Sequence, residues 1–402
     1  MKTAFFRRMQ DFTVAEWAFY ALLALVFTIP FSIALGQVWA VCCLLLFPVA
    51  LYRKQVRLAM PAVMWLAGAF IILAVFLSGW QGGCAGLPGR AGKLFWFVLI
   101  PVTASLVNAP GRDRKVVWAF LGGCAVLGLK DLVEYPVAAF RKPVPDYLTA
   151  LIDKGSMTDG QMLMLGVVGS FLFLVVALKE RRAAWWQWAI MVAQGAGLII
   201  NFKRGSWCCA IILIGVVVLM NFRWKAWLLA IVVVVGFLLL PPVQTRLGEL
   251  KKEFNVEGGG RLTMWFKIAP VLVQEHPGGI GYGCLTNDKM RRAFSRVEPN
   301  RNHLHANWAQ VLVETGWLGL CLYLAWMMKS VADGAARARR GSGAPGGDRA
   351  VDWVLLLILC GLLLNGLVEY NFGDTEMMFV YAVMIGTVAA GQRKGCSAGG
   401  CQ

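Results

Sequence analysis

The chain has 402 residues, 58% of them hydrophobic and only 15% charged, with a mean hydropathy of +0.63 and a formal net charge of +17. A soluble domain of this length cannot bury that much apolar surface in one core, which excludes an ordinary soluble globular protein. Apolar runs of the ~20 residues needed to cross ~30 Å of hydrocarbon recur along the sequence, so the chain reads as an all-α polytopic membrane protein.

Twelve spans are predicted, at roughly 14–31, 35–51, 60–79, 92–108, 114–133, 161–178, 184–200, 206–221, 224–241, 304–328, 351–369 and 375–391. The opening MKTAFFRRMQ is not followed by an A-x-A cleavage signal, and the first apolar run leads into the second across a Pro30–Gly36 turn. It is therefore expected to be a retained anchor and not a removed signal peptide. With the N-terminus in the cytoplasm and the sides alternating, 21 of the 39 basic residues fall on the cytoplasmic side. Ten of the others lie in one long outer loop, 242–303, and long loops do not count toward the charge bias that sets orientation. The even number of spans returns the C-terminus, with Arg393 and Lys394, to the cytoplasm.

This divides the chain into nine spans (1–241), an outer loop domain (242–303), three further spans (304–391) and a cytoplasmic tail (392–402). Tryptophans such as Trp80, Trp185, Trp207, Trp224, Trp308 and Trp353 flank span ends, as an interfacial belt would. Most of the eleven cysteines fall inside spans, where they pack as small apolar groups. Cys84 and Cys284 are on the outer side; their spacing leaves pairing open, and the unpaired state is favoured. The stretch 341–349, GSGAPGGDR, reads as a flexible linker.

The chemistry is expected on the outer face. Loop 242–303 sets ten basic residues against six acidic ones, an excess that runs against the topological bias and suits an anionic partner such as phosphate or diphosphate. A solvated face or contact with anionic lipid heads is the plainer alternative. All three histidines, His276, His303 and His305, lie in or at the end of this loop. The spacing of His303 and His305 at a helix entrance disfavours both binding one metal ion, so no metal or other cofactor is expected. Helix capping is one role for the pair; general acid–base catalysis by one imidazole, with the other positioning substrate, is the reading adopted.

Two further basic sites stand out. Lys203 and Arg204, in Asn201-Phe-Lys-Arg-Gly205, sit too close to apolar runs to be fully hydrated, and charges at such depth commonly pair or serve a substrate; snorkelling to lipid heads is the alternative. Gly258-Gly-Gly-Arg-Leu-Thr-Met-Trp265 frees the backbone before a predicted amphipathic helix with Arg261 in its first turn. Glu134 and Glu369 fall near predicted outer span ends, placed either to orient a histidine or arginine or to cap a helix.

Taken in order, K-R-G-S-W after a span, G-R-x-x-x-W, H-P-G-G-I-G-Y-G and H-x-H-x-N-x-x-x-x-L-V-E-T-G-W-L-G resemble the O-antigen ligase and polymerase superfamily, over residues 200–320. The resemblance implies a GT-C-like bacterial inner-membrane glycosyltransferase with a helical periplasmic loop between spans nine and ten and its active site facing the periplasm. It also implies an undecaprenyl-diphosphate-linked glycan as donor and metal-independent, inverting transfer. By position, Arg204 matches the arginine of the family's S/T-R-G motif, with Lys203 where serine is commoner. Arg261 matches the arginine of G-R-x-x-x-W, and His305 the essential histidine. The family usually places asparagine directly after that histidine, whereas Ala306 stands here and Asn307 follows one place later.

Chain length and one dominant outer loop favour a ligase with lipid A-core as acceptor over a polymerase. In this reading His305 is the base, and Arg204, Arg261, Lys203 and His303 bind substrate. The expected partners are the two lipid substrates and membrane lipids, with no nucleic acid. A transporter of lipid-linked anionic glycans is the alternative from another class, although such proteins place ionisable groups near mid-membrane and these spans carry few.

Overall fold

A computed structural model describes residues 12–80, 91–140, 155–222, 260–295, 297, 302–340 and 347–396, with isolated positions between 228 and 256. The opening MKTAFFRRMQ, Cys84, residues 141–154, much of the predicted span 224–241, Gly258, Gly259, Arg301, the linker at 341–346 and the last six residues lie outside the described residues.

The described residues are helical, with no strand among them. Helices α1 (Val14–Thr28), α2 (Ile33–Tyr52) and α3 (Val63–Trp80) lead to a 3₁₀ run, Ala91–Val98, that continues into α4 (Leu99–Leu106). There follow α5 (Arg112–Phe140), α6 (Met157–Lys179), α7 (Trp185–Ile200) and α8 (Arg204–Asn221). Two short outer elements come next: α9, made of Arg261–Thr263, a π turn Met264–Ile268 and Ala269–Glu275, and α10 (Asn287–Ala293). The chain ends with α11 (Asn307–Arg340), α12 (Gly347–Gly366) and α13 (Thr375–Cys396). Seven of these helices are long and apolar enough to cross a membrane, and three shorter apolar ones accompany them, which makes this a multi-pass membrane protein.

Enclosure is uneven. Helix α6 is buried over most of its length and packs on α5, α7, α8 and α12, whereas α2 and α3 leave most of their apolar side chains partly or fully exposed, as lipid-facing helices do. Lipid tails are as apolar as leucine, so helix association here rests on close fit. At the crossing of α5 and α7, a Cβ on Gly128 would come within 2.3 Å of the Ala193 carbonyl oxygen, and one on Gly197 within 2.7 Å of the Gly128 Cα. Only glycine allows these two backbones to touch.

Helix α11 is not one rod. Gly316 has φ 66° and ψ −173°, a conformation essentially restricted to glycine, and breaks the helix between its first two turns and the rest. The break frees carbonyls that a distant segment takes up: Ile280 N donates to Val313 O at 3.0 Å and Gly281 N to Glu314 O at 2.9 Å. His276-Pro-Gly-Gly-Ile-Gly-Tyr-Gly283 is thereby docked against Val313–Gly316, joining two motifs that are separate in sequence.

At the far end of α11, Arg337 is 8% exposed and binds three helices. Its Nε donates to Asp352 Oδ1 at 2.5 Å, Nη1 to Thr387 O at 2.6 Å and Nη2 to Asp113 Oδ2 at 2.6 Å, tying α12, α13 and α5. Cys284 is buried and disulfide-bonded, against the unpaired state favoured from its spacing, and its partner lies outside the described residues.

Candidate active site

Four segments meet on one face of the bundle. The first is the α7–α8 turn. Asn201, fully buried, donates through Nδ2 to the Tyr135 hydroxyl at 3.2 Å, which lies 3.2 Å from Asp159 Oδ2. That chain anchors the turn to α5 and α6 and places Lys203 as the N-cap of α8 and Arg204 as its first residue, both half-buried.

The second segment is α9. Gly260 is its extended N-cap, and Arg261 begins the helix, as its motif leads one to expect. The apolar residues Met264, Ile268, Ala269 and Leu272 are buried against the segment 304–313, forming a small satellite core. The tryptophan of G-R-x-x-x-W ties this helix to the histidine segment, since Trp265 Nε1 donates to the Leu304 carbonyl at 2.8 Å.

Leu304 N in turn donates to Gln310 Oε1 at 2.9 Å. With both of its backbone groups held, Leu304 fixes the third segment, His303 to His305. The histidines lie in an irregular, bent stretch just before α11, which starts at Asn307 and not at 304, where the apolar run alone would begin it. His305 is 3% exposed and has φ +50°, an uncommon backbone state for a residue with a Cβ. Such strain persists only where the surroundings enforce it, and it concentrates at functional sites. The His303 ring packs edge-on against the His305 ring at 4.3 Å between centroids and lies 6.1 Å from the Tyr370 ring.

The fourth segment, Leu367–Asp374 between α12 and α13, supplies the group that joins the others. Glu369 Oε1 forms an ion pair with Arg261 Nη2, and Glu369 Oε2 lies 3.3 Å from His305 Nδ1. Oε1 also lies 3.6 Å from where a Cβ on Gly205 would be, so the start of α8 abuts the same carboxylate. Of the two uses expected for glutamates at outer span ends, Glu369 takes the orienting one, whereas Glu134 is exposed on α5. A carboxylate at Nδ1 favours the tautomer with the proton there, leaving the Nε2 lone pair as the basic atom.

Asn307 holds this fourth segment in place. Its Oδ1 accepts from Asn371 N and Phe372 N, both at 3.0 Å, while its Nδ2 donates to Asn371 Oδ1 at 2.7 Å and to the Tyr323 hydroxyl at 3.1 Å. Lys93 Nζ donates to Gly373 O at 2.9 Å, and Thr158 Oγ1 lies 3.3 Å from Asp374 Oδ2.

Beside these groups lies a cavity of about 450 Å³. His303, Glu369, Glu314, Tyr282, Tyr370, Asp374 and Lys93 are among its lining residues, and Glu369 links this lining to Arg261 and His305. Gln310 Nε2 donates to Glu314 Oε1 at 2.8 Å. Burial, with Glu314 adding to it, pushes the Tyr282 phenol up, and burial with the neighbouring Tyr282 and Glu314 does the same for Tyr370; both hydroxyls stay protonated. Asp374 is pushed up to about 6 by burial, with Glu376 adding and Lys93 opposing. His276 is exposed at the end of α9, and among the described residues no three His, Cys, Asp or Glu side chains are grouped to hold a metal.

Of the residues singled out from sequence, the structure brings Arg261, His303 and His305 together and sets the Lys203–Arg204 turn beside them. Residues 189–324, which contain all five, match the family model described as O-antigen ligase. The chain carries an O-antigen ligase domain. The likeness to O-antigen ligase is confined to this stretch of the multi-pass chain. No curated protein matches it.

Several site residues lie outside the matched ligase domain and outside every motif of the sequence: Lys93, Tyr370 and Asp374, together with Glu369, which only its position near a span end sets apart. Glu314 and Asn307 stand within a motif, where they mark its register without declaring a role. The Trp265 and Gln310 contacts to Leu304 depend on tertiary placement alone.

Proposed function

We propose that the protein is an O-antigen ligase that transfers a glycan from undecaprenyl diphosphate to a hydroxyl of lipid A-core, completing lipopolysaccharide at the periplasmic face of the inner membrane, with both termini cytoplasmic. The observation that carries this reading is Glu369, whose carboxylate is shared by Arg261 and His305. One carboxylate couples a base to a cation, which is the pairing a displacement at a diphosphate-activated sugar requires.

The acceptor oxygen attacks the anomeric carbon while its proton passes to His305 Nε2, and the anomeric carbon–oxygen bond to the diphosphate breaks with its electron pair going to the phosphate oxygen. Attack opposite the leaving group inverts the anomeric centre. Glu369 stabilises the imidazolium that forms, as the carboxylate of a catalytic triad does. Undecaprenyl diphosphate leaves with growing negative charge, met by the guanidinium groups of Arg204 and Arg261. Lys203 adds charge at the same end of α8. His303, on the cavity wall, orients the acceptor hydroxyl. No step calls for a metal.

Purified protein in detergent, given lipid-linked O-antigen with and without lipid A-core and with EDTA, tests this directly. Glycan on lipid A-core despite EDTA is the expected result. Longer lipid-linked chains would make it a polymerase, and absence of any product would return the transporter.

A further inference from the structure

One wall of the cavity belongs to neither the motifs nor the ion-paired groups. Helix α6 enters the site with its first turns, and Met157 and Gln161, four residues apart on the same face, both line the cavity. Thr158, between them, is committed to Asp374 at 3.3 Å. Gln161 is 1% exposed, and its amide oxygen is shut off from solvent with no hydrogen-bond partner. Gln310, the other glutamine of the lining, is a contrast: its Oε1 accepts from Leu304 N at 2.9 Å and its Nε2 donates to Glu314 Oε1 at 2.8 Å. Gln310 therefore holds the site together, whereas no hydrogen bond among the described residues uses the Gln161 carboxamide. Buried amides are nearly always paired, because leaving one unpaired in an apolar bundle is destabilising.

We propose that Gln161 is a sugar-recognition residue: its carboxamide hydrogen-bonds a hydroxyl of a pyranose held in the cavity. A carboxamide is neutral, and it both donates and accepts. A hydroxyl does the same, so the pair needs no charge on the ligand and does not depend on the charge of the rest of the lining. A phosphate or carboxylate would engage the nitrogen alone, and a hydrocarbon tail neither atom. The terminal torsion of glutamine is broad and roughly two-fold, so a half-turn presents either amide atom to the ligand. Tyr282 and Tyr370, on the same lining, bring phenol rings and hydroxyls that suit the two kinds of face a pyranose has. That the sugar is the acceptor's rests on the ligase reading; the pairing with a hydroxyl does not. Losing such a bond should weaken pyranoside binding by about 3- to 30-fold.

The test reads binding and not transfer, so it stands apart from the ligase assay. Full-length protein in an amine-oxide detergent, which carries no sugar, is titrated with methyl glucoside, galactoside and mannoside and followed by saturation-transfer NMR. Gln161→Leu keeps most of the side chain's bulk and removes the amide; Gln161→Met serves in its place if size-exclusion elution shows the first variant misfolded. The variant should bind the best of these glycosides about 3- to 30-fold more weakly than the native protein does. Monodeoxy forms of that glycoside then locate the hydroxyl: for one of them the two proteins should bind alike. No glycoside binding by the native protein at tens of millimolar, equal binding by the folded variant, or a loss of the same size against every deoxy form would each overturn the proposal. The last outcome would mean that the substitution had changed the shape of the cavity. Absence of transfer with the expected binding pattern intact would sink the ligase reading and leave Gln161 as a sugar contact.

Discussion

Arg261 and His305 come from separate motifs, yet both reach the carboxylate of Glu369, one on each oxygen. Each of the two depends on the third group: the arginine for its position at the start of α9, the histidine for its tautomer. Glu369→Gln is isosteric and tests this dependence. Oε1 could survive as an amide oxygen facing Arg261, but the group can no longer hold a proton on Nδ1 by charge. By analogy with the loss of the carboxylate from a Ser-His-Asp triad, kcat should fall by about 100- to 10,000-fold while KM for the acceptor moves far less. A variant that keeps full kcat would remove Glu369 from the reaction.

The break in α11 yields a second expectation. A Cβ at position 316 would lie 2.7 Å from Pro277 O, in a backbone state that residues other than glycine rarely adopt. Gly316→Ala should cost about 1–3 kcal/mol from the conformation alone, and more from the clash. The damage should not stop at stability. Glu314 and the docked segment that carries Tyr282 meet at this break, so the cavity should deform and activity fall in the protein that still folds. A thermal melt alongside a transfer assay separates the two effects; unchanged values in both would contradict the geometry.

How much of this is legible in the sequence depends on whether each feature is local. The start of α9 at Arg261 follows from three glycines and an amphipathic run, and the structure begins the helix there. The 3₁₀ form of Ala91–Val98 is not legible, because apolar composition specifies a span without choosing its pitch. Glu369 stands 64 residues from His305, and no spacing rule connects them; only the rarity of a carboxylate near a span end marks it. Arg337 is one of the 21 basic residues counted as cytoplasmic, and its role as a buried structural pin is not legible, because the partners that make its burial tolerable sit on two other helices.

That pin carries a third prediction. Arg337 holds Asp113 and Asp352 together, and removing it takes that cation away from two buried carboxylates. Breaking a buried pair by deleting one partner costs about 3–5 kcal/mol, mostly through the charge left behind. Arg337→Ala should therefore lower the melting temperature in detergent markedly. Combining it with Asp113→Asn and Asp352→Asn should recover much of the loss. Failure of that rescue would mean that the contacts of the arginine stem, and not the charges, hold the four helices.

Asp374 gives a prediction in pH. Its carboxyl is pushed up to about 6 from an ordinary 3.8, chiefly by burial, so the folded protein holds this proton at a pH where the unfolded chain has released it. The folded state then binds more protons than the unfolded state between about pH 4 and 6, and stability falls as pH rises through that window. Above about pH 6 the penalty is complete; below about pH 4 it is absent. Asp374→Asn, which keeps an acceptor for Thr158, removes the titration. It should stabilise the protein by about 1–3 kcal/mol at neutral pH, and the gain should shrink to nothing by about pH 4. Melting temperatures of the two proteins across that range measure this. A gain that is flat in pH, or one that grows toward acid, would show that burial of this carboxylate carries no cost.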